Sequence, residues 1–306
     1  MAELNDRKTP PFGGQEAWTS FEEAGVVVLP VPYEATVSYE GGTAQGPEAI
    51  LRASTQVELY DEQLQAEPWR AGIWTDCPLQ LDGLSAADAV RRIAARAGEL
   101  LDAGKWLVML GGEHSITPGA VEAAAERHPG LHVVQLDAHA DLRQSYEGDP
   151  FSHACAMARC LEHAPVRAVG IRNYSVEEAR WIRAGIPGYR ILHGFEMEQP
   201  GWQEVALDGL DGRPVYLTVD VDYFDPAVVP ATGTPEPGGG AWWPTLRFLD
   251  SLFRQANVVA CDVVELAPRP GLHHADFTVA RLVYKLVGFA FRQNQSRNRR
   301  DSSLAI

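Results

Sequence analysis

The chain has 306 residues, of which 45% are hydrophobic, and its formal net charge is -15 at pH 7. This charge argues against nucleic acid as a partner, because phosphate binding needs clustered Lys and Arg. The exception is the basic stretch from Arg292 to Arg300, which fits a disordered tail or one that contacts another subunit. No apolar run approaches the roughly 18 residues of a membrane span, and the polar, acidic N-terminus does not resemble a signal peptide. We therefore predict a cytoplasmic protein without a membrane partner, whose acidity would suit a small cationic ligand.

Apolar runs and helical patterns alternate after an irregular arm at residues 1–24. The predicted strands are short, β-branched and apolar on both faces, as buried parallel strands are: Val26–Val31, Gly72–Thr75, Trp106–Leu110, Leu131–Asp137, Arg167–Ile171, Tyr189–Leu192, Val215–Asp222 and Val258–Glu265. The predicted helices are 46–59, 85–103, 117–128, 153–163, 175–184, 243–256 and 276–292. This alternation predicts an α/β fold with one doubly wound sheet. With no repeat or linker, it also predicts a single domain over residues 1–306 that ends in a polar tail at 293–306.

Side chains that bind metals follow three of the predicted strands. Asp137, His139 and Asp141 alternate in one segment, and Asp220 and Asp222 alternate in another. Because alternate residues of an extended chain point the same way, each set is expected to converge. The carboxyl ends of the strands are also where open α/β sheets bind ligands. The full candidate set is His114, Asp137, His139, Asp141, Asp220 and Asp222.

These four carboxylates and two imidazoles suit a pair of divalent cations, Mn²⁺ in particular. A solvated turn with helix-capping aspartates would explain one such residue, but not the whole set. A buried cluster of four carboxylates without cations would be costly through desolvation and repulsion. The sequence therefore predicts a metal site.

Three nearby residues have less certain roles from their positions alone. His114 by itself would be read as a core histidine, but its place after Gly111-Gly112 at a strand end favours ligation. Glu113 would point away from His114 in an extended backbone, which makes it a supporting residue. His153 begins a predicted helix, and its position fits a surface histidine as well as a proton shuttle beside the metals.

Four sequence blocks resemble the ureohydrolase family of arginases and agmatinases: GGEHS at 111–115, DAHAD at 137–141, DVDYFDP at 220–226 and ATGTPEPGG at 231–239. The similarity runs from about Val31 to about Leu286. It implies a three-layer αβα sandwich around an eight-stranded, mostly parallel sheet, assembled as a homo-oligomer, a trimer or hexamer. It also implies two Mn²⁺ ions per subunit, with Co²⁺ or Ni²⁺ as alternatives. A hydroxide between the metals would hydrolyse a guanidinium to urea and an amine.

The resemblance also assigns roles residue by residue. It implies that one ion is bound by His114, Asp137, Asp141 and Asp220, and the other by Asp137, His139, Asp220 and Asp222. Asp137 and Asp220 would bridge the two ions. His153 matches the family's catalytic histidine, which passes a proton to the leaving amine, and Glu265 matches its guanidinium-binding glutamate.

The loop between Asp141 and His153 resembles agmatinases more than arginases, which predicts hydrolysis of agmatine to urea and putrescine. Glu147 and Asp149 in this loop would attract a second cationic group, or are simply solvated. The positive charge of Arg143 would instead suit a carboxylate, so guanidino acids such as guanidinobutyrate and guanidinopropionate are alternative substrates. An arginase stays a further alternative, since Pro230-Ala231-Thr232 follows the arginase pattern. The intact set of site residues argues against a metal-binding relative without activity.

Overall fold

The computed structural model describes the backbone of residues 9–304 and the side chains of residues 9–296. Its eight strands are β1 Val26–Val31, β2 Ile73–Thr75, β3 Trp106–Gly111, β4 His132–Leu136, β5 Val166–Ile171, β6 Tyr189–His193, β7 Pro214–Asp220 and β8 Asn257–Val264. They form one sheet in the order β2-β1-β3-β8-β7-β4-β5-β6. Every pair of neighbouring strands is parallel, which confirms the predicted α/β sheet.

The helices lie between the strands, largely where they were predicted. They are α1 Gly14–Ala17, α2 Gly46–Ser54, α3 Ala86–Asp102, α4 Thr117–Arg127, α5 Ala156–Cys160, α6 Val176–Ala184, α7 Trp202–Leu207, α8 Trp242–Gln255 and α9 His273–Leu304. The short helices α1 and α7 were not predicted. In the described part of the chain, no helix combines the length and apolar character that a membrane crossing requires.

Both ends of the chain differ in detail from the predicted arm and tail. Residues 1–8 of the arm lie outside the described residues, whereas Phe12 is buried and its backbone N–H donates to Thr75 Oγ1 at 2.8 Å. Helix α9 continues past the predicted end at residue 292. Just beyond that predicted end, Gln293 is buried and bonds both backbone groups of Val258 near the start of β8.

Two hydrophobic cores lie on opposite faces of the sheet, because successive strand residues point to opposite sides. In β3, Val108 and Leu110 belong to one core, while Leu107 and Met109 belong to the other. Helices α2, α7, α8 and α9 contribute to the first core, and α3, α4 and α5 contribute to the second. The predicted three-layer αβα sandwich is therefore confirmed.

The strand order creates a crevice at the centre of the sheet. The chain leaves β3 and returns in β4, which lies three positions away because β8 and β7 occupy the places between them. In open α/β sheets, ligands bind beyond the carboxyl ends of strands at such a reversal of strand order. The predicted site residues follow these four central strands.

Candidate metal centre

A first group of side chains surrounds the imidazole of His114, just beyond β3. Its Nδ1 atom lies 3.1 Å from Asp137 Oδ2 and 3.0 Å from Asp141 Oδ2. Asp220 Oδ2 lies 3.5 Å from the same nitrogen. The ligand atoms of His114, Asp137 and Asp141 all lie within 4.8 Å of one another, close enough to share one metal ion.

A second group adjoins the first and shares Asp137 with it. His139 Nδ1 lies 2.9 Å from Asp222 Oδ2 and 3.8 Å from Asp137 Oδ1. The ligand atoms of Asp137, His139 and Asp222 also lie within 4.8 Å of one another. The structure thus brings the six sequence-predicted residues together as two adjoining groups.

The backbone achieves this convergence differently from the sequence prediction. β4 ends at Leu136 and β7 ends at Asp220, so the alternation of side chains along an extended strand was the wrong explanation. Instead, Asp137 Oδ1 accepts the backbone N–H of His139 at 2.6 Å, and Asp220 Oδ1 accepts that of Asp222 at 2.9 Å. An aspartate that bonds the amide two residues on forms a tight turn. The same turn ends both strands and directs the following ligand into the crevice.

Burial and neighbouring charges raise the pKa of two carboxyls in the cluster. Burial, followed by the charges of Asp141 and Asp222, raises the pKa of Asp137 to about 7. Burial and the nearby Asp222 and Asp137 raise the pKa of Asp220 well above its usual value. These shifts express the cost of collecting negative charge away from water. A divalent cation would remove that cost, so the donor set fits metal binding.

His139 and Asp222 behave as an ion pair within this cluster. Burial opposes charge on His139, but Asp222 raises the pKa of its imidazole to about 10. Burial likewise opposes charge on Asp222, but His139 lowers the pKa of its carboxyl to about 2. A cation bound here would compete with a proton on His139, because a metal-bound imidazole must be deprotonated.

The orientation of His114 supports a ligand role for its Nδ1 atom. Nδ1 is buried and, within the described part of the chain, forms no contact with hydrogen-bond geometry. Its Nε2 atom lies 2.9 Å from Thr218 Oγ1. Because Nε2 pairs with Thr218, Nδ1 is the ring nitrogen that faces the carboxylates of Asp137 and Asp141, as a metal ligand would.

Glu265 lies beside the cluster at the end of β8. Its Oε1 atom accepts the backbone N–H of His114 at 2.6 Å. Glu265 also lines the cavity, together with every predicted metal ligand other than Asp137. Burial and the nearby Glu113 raise the pKa of Glu265 well above its usual value. Its φ of 66° and that of Asp141, 50°, are left-handed values that non-glycine residues seldom adopt. Such strain concentrates at functional sites.

His153 also lines this cavity, in a short 3₁₀ turn before α5. Its Nδ1 atom lies 3.1 Å from Thr36 Oγ1, and its Nε2 atom lies 2.8 Å from Ser38 Oγ. The cavity has a volume of about 240 Å³. One concave site therefore joins the metal-ligand cluster, Glu265 and His153.

The loop between Asp141 and His153 contributes two side chains to the cavity. Glu147 is exposed in a tight turn, whereas Arg143 and Tyr146 line the cavity. The Arg143 guanidinium carbon lies 5.1 Å from the centre of the Tyr146 ring, and its Nε lies 3.9 Å from Glu178 Oε2. The buried Glu178 thus partly balances the positive charge of Arg143.

Sequence reasoning missed the residues that hold the ligands in place. Gln135 Nε2 donates to Asp137 Oδ2 at 2.8 Å, and Thr218 supports His114. Both are fully buried polar residues, and each lies two positions before an aspartate of the cluster. A buried polar residue within an apolar strand needs a partner, and that need was the available signal.

The fold and this site define a protein of the α/β class with a cavity that can hold divalent cations beside a carboxylate and a histidine. Residues 24–288 match the Arginase family. An N(1)-aminopropylagmatine ureohydrolase from Synechocystis sp. is 42% identical over 287 residues, covering 91% of this chain and 93% of the relative. The chain belongs to the arginase family and is, within it, an agmatinase-like hydrolase.

Further comparisons agree with this family. An agmatinase from Bacillus anthracis is 38% identical over 257 residues, covering 81% of this chain and 86% of that enzyme. The crystal structure of an agmatine ureohydrolase from Thermoplasma volcanium superimposes with a TM-score of 0.85 at 28% identity, covering 97% of this chain and 99% of that one. Similarity over nearly the whole length supports the same architecture.

Proposed function

We propose that this chain is a ureohydrolase that holds two Mn²⁺ ions and hydrolyses agmatine to urea and putrescine. The observation that carries the proposal is the pair of ligand groups joined by Asp137, in one cavity with Glu265 and His153. Oxygen and imidazole donors suit Mn²⁺, and Co²⁺ or Ni²⁺ would also suit them.

The proposed ligands follow the two groups in the cluster. One ion would be held by His114, Asp137, Asp141 and Asp220. The other would be held by Asp137, His139, Asp220 and Asp222. Asp220 lies against His114 and, through its turn, against Asp222, which supports a bridging position like that of Asp137.

Hydrolysis of a guanidinium requires catalysis because the group is planar, resonance-stabilised and a poor electrophile. When bound, two cations act as Lewis acids and lower the pKa of water, which provides a nucleophile near neutral pH. Glu265 binds the guanidinium as its counter-charge and orients the central carbon. His153 donates a proton to the leaving amine nitrogen, so that the amine departs as a neutral group.

The cavity also bears on the far end of the substrate. Glu40 lines the cavity, is exposed and lies 3.4 Å from Arg269. Although it is shared with Arg269, the carboxylate of Glu40 offers the second cation of agmatine a negative group at the cavity. The pairing of Arg143 with Glu178 reduces the attraction that Arg143 would offer to a guanidino acid.

A second candidate substrate is N(1)-aminopropylagmatine, a longer polyamine. It is favoured by the Synechocystis relative of that name, which is 42% identical to this chain. The exposed cavity residues Tyr39 and Glu40 leave the outer part of the site open to a longer chain. Both candidates share the guanidinium and the same proposed chemistry.

A panel of guanidines tests the proposal. Urea release would be measured with the Mn²⁺-reconstituted chain on agmatine, N(1)-aminopropylagmatine, arginine, 4-guanidinobutyrate and 3-guanidinopropionate. We expect turnover of agmatine and no turnover of arginine, and the kcat/KM ratio of the two polyamines identifies the preferred one. Preference for a guanidino acid would contradict the substrate assignment. No urea from any of them with Mn²⁺, Co²⁺ or Ni²⁺ would contradict the function.

A further inference from the structure

Glu113 is a fully buried carboxylate that holds the neighbouring loop in place. Its Oε2 atom accepts the backbone N–H groups of Ala35 and Thr36 at 2.8 and 2.7 Å. Its Oε1 atom accepts the hydroxyl groups of Thr36 at 2.8 Å and Ser115 at 2.5 Å. Four donors therefore converge on one carboxylate, which satisfies it completely although it has no contact with water.

The loop that carries Thr36 is anchored at two further points. The carboxylate of Glu34 accepts the backbone N–H groups of Gly42 and Ala44. At Gly112, an added Cβ would lie 1.8 Å from the carbonyl oxygen of Tyr33, so only glycine lets the end of β3 pass this close to the loop. The position of Thr36 is thus set by contacts on both sides of it in the chain.

The hydroxyl of Thr36 has one proton, and Glu113 takes it. An ionised carboxylate can only accept, so Thr36 must donate to Glu113. The lone pairs of the Thr36 oxygen then face two nitrogens of His153, the backbone nitrogen at 3.0 Å and ring Nδ1 at 3.1 Å. Nδ1 also lies 3.3 Å from Ser152 Oγ, but an Nδ1 without hydrogen would set its lone pair against that of Thr36. We therefore take Nδ1 to carry the hydrogen and to donate it to Thr36.

We infer that Thr36, fixed by Glu113, is a positioning residue that sets the tautomer of His153, so that Nε2 alone exchanges the catalytic proton. This inference rests on the proposed function, because it takes His153 as the proton donor. Nε2 is the ring nitrogen next to Ser38, and Ser38 lines the cavity. A fixed tautomer is the arrangement that an acid–base histidine requires, since the hydrogen bond of one ring nitrogen determines the state of the other.

The proton transfers balance in this arrangement. The attacking water leaves its hydroxyl on the guanidino carbon and gives its proton to Nε2 of His153. As the bond between that carbon and the leaving nitrogen breaks, the electron pair stays on the nitrogen and Nε2 returns the proton to it. The hydroxyl proton left on that carbon then passes to the amine, so that guanidinium and water become urea and the alkylammonium ion. Nδ1–H keeps its hydrogen bond to Thr36 throughout.

A double-mutant cycle tests this inference with Thr36→Val, His153→Ala and the combined variant. The substrate is whichever guanidine of the panel the wild-type chain hydrolyses. We expect Thr36→Val to lower kcat by about 10- to 100-fold, within the range of acid–base effects, with KM and bound metal unchanged. In the His153→Ala background it should cause no further loss, because Thr36 acts through His153.

Two additional variants make the result specific. Thr36→Ser keeps the hydroxyl and should retain most of the wild-type kcat. Thr36→Ala serves in place of Thr36→Val if valine does not fit the site, and the same loss of kcat is expected. Thr278→Val is a matched control, because its hydroxyl bonds only a carbonyl within α9, that of His274, among the contacts the structure describes.

Several outcomes would overturn the inference. These are full activity in Thr36→Val and Thr36→Ala, no rescue by Thr36→Ser, or a loss that multiplies with that of His153→Ala. A wild-type chain that releases no urea would instead contradict the proposed function, and the panel detects that result before any variant is made. Full activity in His153→Ala would contradict the proton-donor role as well as the inference.

Discussion

Replacing Asp137 by asparagine is expected to reduce bound metal from two ions to at most one and to abolish most urea release. Asp137 is the residue common to both ligand groups, so its loss affects both positions. Metal ions supply several kcal/mol of transition-state stabilisation, and each ~1.4 kcal/mol corresponds to a factor of ten in rate. We therefore expect a loss of about 10³-fold or more in kcat/KM. The measurements are metal content by elemental analysis and urea release.

Asp225→Asn provides a matched control from the segment that follows β7. Its Oδ1 atom accepts the backbone N–H of Ala227 and its Oδ2 atom accepts that of Gly238, so Asp225 holds a turn outside the cluster. This variant should keep two metal ions and most of the activity. Two bound ions and wild-type kcat/KM in Asp137→Asn would contradict the assignment of Asp137 as the shared ligand.

Replacing Glu265 by glutamine should cost about 10²- to 10³-fold in kcat/KM while leaving both metal ions bound. Glutamine has nearly the same shape and its carbonyl oxygen can still accept the backbone N–H of His114. It removes the negative charge, and a buried guanidinium without its counter-charge loses about 3–4 kcal/mol. Steady-state kinetics on agmatine, together with metal content, measure this loss.

The control for the glutamate is Glu48→Gln on α2, where Glu48 forms a surface ion pair with Arg52 at 2.6 Å. Exposed pairs of this kind contribute little, so kcat/KM should stay at the wild-type value. The guanidinium-binding role of Glu265 would be wrong if Glu265→Gln turned over agmatine as fast as the control does.

The fold was predictable because its strands are buried on both faces and therefore apolar throughout. The runs Trp106–Leu110 and Val258–Glu265 each lie within one residue of the observed strand at both ends. The short helices α1 and α7 were not predicted, since a turn or two carries little periodic signal. The end of α9 was also missed, and the contact that Gln293 forms there with Val258 is distant in sequence.

The site was predictable in composition but not in its supporting contacts. Asp137 and Asp220 were recognisable as ligand types after apolar runs, although the turns that end their strands were not foreseen. The hydrogen bonds that Thr36 forms with Glu113 and with His153 join three separate segments of the chain. No local pattern indicates such contacts, because they arise only when the loop after β1 folds over the end of β3.

Metal titration of the stripped chain tests the central claim most directly. Metal-free protein would receive increasing Mn²⁺, and urea release from agmatine would be followed against the ions bound per chain. We predict no turnover without metal and a rise in activity that levels off at two ions per chain. Full urea release from the stripped chain would contradict the account. So would a urea-release activity that reaches its maximum while no Mn²⁺ is bound.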